Sequence, residues 1–168
     1  ANGRPVTWQV ASNSDGSLAL VSGPDDVDPE AAGYGRGQGI NALGDVCGEF
    51  SFTNSTEGQS AVRAWNGGSL EILGQLNERQ PYDRNWAVSI NDAGQAVGWD
   101  EYYPLKGGRI VTGVLWEIDG SVKAVAKLVT GWASIGDAMG INNQGVIAAE
   151  GQLAPYGAAH ALVMIPPQ

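Results

Sequence analysis

Short apolar stretches separated by polar, glycine-containing turns run the length of the chain. Ser69-Leu70-Glu71-Ile72-Leu73 and Ser121-Val122-Lys123-Ala124-Val125 alternate apolar and polar positions, the period of a strand with one buried face. Each is preceded by a turn, Asn66-Gly67-Gly68 or Ile118-Asp119-Gly120, and by a strand ending in tryptophan, Arg63-Ala64-Trp65 or Val114-Leu115-Trp116. A second hairpin is expected at Ser89-Ile90-Asn91 and Gln95-Ala96-Val97-Gly98, where Asn-x-x-Gly sits between two apolar runs. Asparagine there bonds its own backbone two residues on, and glycine takes a left-handed conformation that a Cβ would strain. Only Asp28 to Ala32 and Trp132 to Met139 read as able to hold a helical turn.

These phrases repeat. Ile40-Asn41-Ala42-Leu43-Gly44 returns as Ile90-Asn91-Asp92-Ala93-Gly94 and as Ile141-Asn142-Asn143-Gln144-Gly145. Gly16-Ser17-Leu18, Gly68-Ser69-Leu70 and Gly120-Ser121-Val122 follow the same period of about 50 residues. Val6-Thr7-Trp8 is read with the other two Trp-ended strands as one repeat position, and His160-Ala161-Leu162-Val163-Met164 as a fourth copy. The expectation is an all-β repeat domain spanning 1–168, with β-propeller-like four-stranded units. Units 39–73 and 88–126 are complete, whereas 1–21 and 139–165 supply partial units, so about three and a half are present. A threefold β-trefoil or β-prism has nearly the same length and repeat number. The unfinished units close on each other within one chain or pair between copies; the second route gives a homo-oligomer or filament by strand addition.

The order of an Ala-x-x-Trp strand, a glycine turn, a Leu-Gly strand and Ile-Asn-x-x-Gly-x-Val-x-Gly resembles the HAF repeats of extracellular bacterial proteins. The fullest copy runs from Ser69 to Gly74 and from Trp86 to Gly98, and His160-Ala161-Leu162 is similar to the strand for which those repeats are named. The resemblance implies an architecture and an extracellular address, and no catalytic residue. Cys47 precedes the last glycine of the first copy, and Ala149 and Glu150 replace that glycine in the third. Pro166-Pro167-Gln168 is not the Pro-Glu-Pro sorting signal with which members often end, so membrane anchoring does not carry over. A chain beginning Ala1-Asn2-Gly3, without an initiator methionine, reads as a fragment or a product of processing, and cleavage by signal peptidase before Ala1 would fit the second.

Composition sharpens this picture in a few places. With 25 glycines in 168 residues, long helices are disfavoured. A net charge of -9 repels phosphate backbones and anionic lipid, which argues against nucleic acid and membrane surfaces as partners, and no apolar run suits membrane insertion. Cys47, the sole cysteine, excludes an internal disulfide and a thiolate zinc cluster; standing at the repeat position of Val97, it reads as a buried, inert thiol. His160, the sole histidine, has no nucleophile at a recognisable spacing, so Ser-His-Asp catalysis is not expected.

Two clusters are candidates for binding. Trp99, Asp100, Glu101, Tyr102 and Tyr103, with Trp86 and Trp132, read as an aromatic and acidic loop able to stack on a sugar ring and bond its hydroxyls. Asp25, Asp26, Asp28 and Glu30 could gather around calcium, although a solvated acidic loop is the simpler reading and no other cofactor is implied. Asn54-Ser55-Thr56 is a glycosylation sequon, meaningful only in a eukaryotic secretory host. The leading expectation is thus a non-enzymatic, self-assembling extracellular component. A secreted carbohydrate-binding module is the alternative, and a repeat-scaffold glycoside hydrolase, whose paired carboxylates only spatial separation could reveal, is a minor one.

Overall fold

A computed structural model describes residues 6–26, 33–52, 60–68, 70–76, 83–104 and 106–166. The described chain is all-β, with thirteen strands in four antiparallel sheets of consecutive strands. The first sheet is the hairpin β1 (Val6–Ser12) and β2 (Leu18–Asp26). The second is the meander β3 (Gly33–Ile40), β4 (Val46–Phe52), β5 (Ser60–Ala64) and β6 (Leu70–Ile72). The third repeats that order as β7 (Arg84–Ile90), β8 (Ala96–Tyr102), β9 (Ile110–Trp116) and β10 (Val122–Ala124). The fourth has β11 (Ser134–Ile141), β12 (Ile147–Gln152) and β13 (Ala159–Met164), without a fourth strand among the described residues. A short 3-10 turn, Val125–Lys127, is the only helical element described, and among the described residues the sheets do not close into a barrel or ring.

Local chemistry accounts for the recurring hairpin. The Asn41 amide N–H donates to the Asp45 carbonyl and the Gly44 N–H to the Asn41 carbonyl, and the same pair of bonds forms at Asn91 and Asn142. Each asparagine Oδ1 accepts from the backbone N–H two and four residues on, as Asn91 does from Ala93 and Gln95. The closing glycines, Gly44, Gly94 and Gly145, have φ of 86°, 76° and 74°, where a Cβ is strained. The strand entering each turn also carries the same irregularity: register shifts fall between Gly37 and Gly39, Ala87 and Ser89, and Ala138 and Gly140. Such a bulge strengthens the local twist.

The third sheet lies between the second and fourth. Alternation along its strands sends Ala96, Val114 and Trp116 toward the second sheet, into a core with Cys47, Ala61, Leu73, Ala87 and Ile90. Val97 and Leu115 point the other way, into a core with Ile135, Ala138, Ile147, Leu162 and Met164. The entering strands β3, β7 and β11 neighbour one another in turn. At the first of these crossings a Cβ on Gly39 would lie 2.9 Å from the Val88 carbonyl oxygen, so glycine is what permits the approach.

Several expectations are corrected here. The glycine-rich residues 33–39, which precede the unit expected to begin at 39, belong to strand β3, and residues 134–139, read as able to turn helically, belong to β11. Their glycines reduce side-chain bulk where β3 meets β4 and β7, and do not break the strand. The three tryptophans do not share a position. The second hairpin turn is closed by Gly16 N–H to Asn13, Gly68 to Trp65 and Gly120 to Glu117, so Trp65 corresponds to Glu117 and Trp116 to Ala64. Cross-strand pairing agrees, since Trp116 faces Ala96, Ala64 faces Val46 and Met164 faces Ile147. Trp116 is fully buried and its indole N–H donates to the Gly74 carbonyl at 2.7 Å.

Candidate functional site

The aromatic and acidic cluster lies mainly in a strand, not a loop. Trp99, Asp100, Glu101 and Tyr102 end β8, and Trp86 lies in β7 directly opposite Trp99, with ring centroids 5.4 Å apart and planes tilted by 34°. The strand period divides the group. Trp99 and Glu101 share the face directed at the fourth sheet, and Asp100 and Tyr102 take the face directed at the second.

The two carboxylates are engaged by protein groups. Arg109 Nη2 lies 2.7 Å from Glu101 Oε2 and the Tyr103 hydroxyl donates to Glu101 Oε1 at 2.7 Å. Burial opposes charging of Glu101, but these bonds outweigh it and hold the carboxyl below its ordinary value. Asp100 Oδ2 accepts from the Leu76 amide at 3.4 Å, and Asp83 Oδ1 accepts from the Tyr103 amide at 3.0 Å. Trp132 lies outside these two strands and packs against the core shared by the third and fourth sheets. It precedes β11 and meets His160 edge to face, with centroids 6.4 Å apart.

Asp25 and Asp26 are paired residues at the end of β2, opposite Thr7 and Val6, so this half of the acidic segment is strand. Asp28 and Glu30, like the sequon at Asn54, fall outside the described residues. Among the described residues no group of three His, Cys, Asp or Glu side chains is placed to hold a metal ion. Cys47 is fully buried, and burial pushes its thiol up to about 12.

What the sequence did not reveal is a continuous ladder joining the three Asn turns. Asn41 Nδ2 donates to the Asn91 carbonyl at 3.0 Å, and Asn91 Nδ2 donates to the Asn142 carbonyl at 3.1 Å. The next residue repeats the connection: the Ala42 amide donates to Asp92 Oδ1, and the Asp92 amide to Asn143 Oδ1. Each turn thus uses one side chain to shape itself and to hold the next sheet. Only the 50-residue recurrence of Asn hinted at this.

The ladder ends at the fourth sheet, whose far face is exposed among the described residues. Cys47 and Val97 hold one repeat position, six residues after the turn asparagine, and are completely buried; Ala148 holds it in the fourth sheet and is exposed. Across from it, Arg63 and Leu115 are buried, whereas their counterpart Val163 is 66% exposed. Arg36 with Glu49 and Trp86 with Trp99 correspond to Asp137 with Glu150, like charges set directly opposite each other. At the other end of the stack Ile40 is 64% exposed although its counterpart Ile90 is buried. The outer edge of β13 has no paired strand among the described residues, where β5 has β6 and β9 has β10.

No family model, curated protein or solved structure matches the chain. No described helix is long and apolar enough to cross a membrane.

Proposed function

We propose that the chain is a non-enzymatic structural protein that self-associates by adding a sheet or strand to the open end of its stack. The observation that carries this reading is the far side of the fourth sheet: Ala148 and Val163 are exposed at positions buried in the second and third sheets, beside an edge of β13 with no paired strand among the described residues. Covering apolar surface stabilises at about 25 cal/mol per Å², and pairing an edge strand satisfies its exposed amides and carbonyls.

A propeller-like succession of sheets supports the same reading, because the entering strands of successive sheets lie beside one another. The hairpin of β1 and β2 has the second turn of a full unit, closed by the same glycine-to-carbonyl bond, and pairs with no other strand among the described residues. It is the segment suited to supply what the fourth sheet lacks. The resemblance to HAF repeats supports an extracellular setting for this role.

The test is Val163→Lys, which puts a charge on the exposed face while leaving both cores intact. By size-exclusion chromatography with light scattering, wild type should form assemblies at micromolar concentration and the variant should elute as a monomer with an unchanged circular dichroism spectrum. Wild-type monomer, or equal assembly by the variant, would count against the proposal.

A further inference from the structure

A cleft of ≈ 460 Å³ lies between the third and fourth sheets, and the preceding interface reveals what fits there. Between the second and third sheets the same place is filled by Arg63, which is fully buried. Its Nη1 donates to the carbonyls of Gly94 at 2.6 Å and Glu117 at 3.2 Å, and its Nη2 donates to the carbonyl of Ile118 at 3.3 Å. Glu71 takes Nε and Nη2, and the guanidinium carbon sits 4.6 Å from the centroid of Trp65. Trp65 in turn closes over Gly94, where a Cβ would meet its ring at 2.7 Å.

Shifted one sheet along, Arg63 becomes Leu115 and Trp65 becomes Glu117. The three receiving carbonyls become those of Gly145, Ile165 and Pro166, which accept no hydrogen bond among the described residues. All five residues line the cleft. The arginine and its aromatic cover are thus both missing, while the turn and strand end that accepted it are retained. Leu115, Leu128, Ile147 and Met164 provide apolar wall for a methylene stem.

We propose that this cleft binds an alkylguanidinium group, its planar donors meeting the Gly145, Ile165 and Pro166 carbonyls and its charge facing the Glu117 carboxylate. A guanidinium presents five N–H donors in a fixed plane and has no acceptor, which matches a wall of carbonyls. Glu117 already accepts from Gln95 Nε2 and Lys123 Nζ, so an incoming cation shares this carboxylate with Lys123, whose side chain is half exposed. Lys123 also stands where Glu71 stood, so the cleft has a cation in place of the carboxylate that pairs with Arg63 in the filled interface. Affinity for a free ligand is accordingly modest.

The experiment is a titration of the 15N-labelled protein with L-arginine amide, read at the amides of Asn143, Gln144 and Gly145 and at the Gln95 side chain. The uncharged isostere citrulline amide serves as control, and a short neutral peptide with one internal arginine forms the second arm. Saturable shifts are expected with arginine amide, and binding about tenfold weaker with citrulline amide. Lys123→Ala, which removes the cation competing for Glu117, should tighten binding, and Glu117→Gln, which removes the charge facing the guanidinium, should weaken it about tenfold. Saturation by free arginine amide identifies a small-ligand site; saturation by the peptide alone identifies a partner's arginine side chain. Silence in both arms, equal response to citrulline amide, or binding unchanged in both variants would overturn the proposal.

Discussion

Asn91 joins two tasks in one side chain: its Oδ1 shapes the turn through Ala93 and Gln95, and its Nδ2 reaches the Asn142 carbonyl of the next sheet. It is buried, so Asn91→Ala leaves several backbone groups without partners and should cost about 2 to 4 kcal/mol in chemical denaturation. Trp116→Ala, which opens a large void at the centre of the core and strands the Gly74 carbonyl, should cost about 3 to 5 kcal/mol by the same measurement. Two carboxylates give opposite pH signatures. Glu101 is held below its ordinary value in the fold, so its contribution is present above that range and lost as pH falls through the folded value. Glu49 behaves the other way: burial raises it, with Arg36 and Arg84 opposing, and its Oε2 is buried without a hydrogen bond. Its contribution is full in acid and is lost as pH rises through the folded value. Thermal melts of Glu49→Gln should therefore show higher stability than wild type near neutral pH, with the difference vanishing in acid; a constant difference at all pH values would contradict this.

At the level of the elements, what the sequence discloses depends on how local the cause is. The Asn turns were legible because four adjacent residues make them, and so was the alternation of Leu70, Ile72, Val122 and Ala124. The tryptophan phase was not. Trp8, Trp65 and Trp116 lie at three different distances from the glycine of their turns, and only cross-strand pairing reveals which face each strand presents. The run from Trp99 to Tyr102 resembles a loop because both faces of β8 carry polar groups there, one facing Arg109 and the other the 73–76 segment. Arg63 gave no signal at all, since its carbonyl partners lie 31 to 55 residues away. β13 carries the element-scale prediction. As an edge strand, its amides should exchange with deuterium faster than those of β12 at high dilution, and should slow as concentration rises if another copy pairs with it.

For the whole molecule, three sheets stack through two separate cores, and the exposed ends of the stack are chemically unlike each other. One end presents Ile40; the other presents Val163 and Ala148 beside the paired acids Asp137 and Glu150. Unlike ends favour head-to-tail association, which closes into a ring if the rotation per copy permits and otherwise grows as a filament. The acidic surface, with a net charge of -9, sets a repulsion between copies that salt screens, so association should strengthen with ionic strength. Sedimentation velocity of the unmodified chain across micromolar concentrations is the most direct test of self-association. The account predicts a sedimentation coefficient that rises with concentration into discrete or continuously growing species, and a single concentration-independent monomer boundary throughout would contradict it.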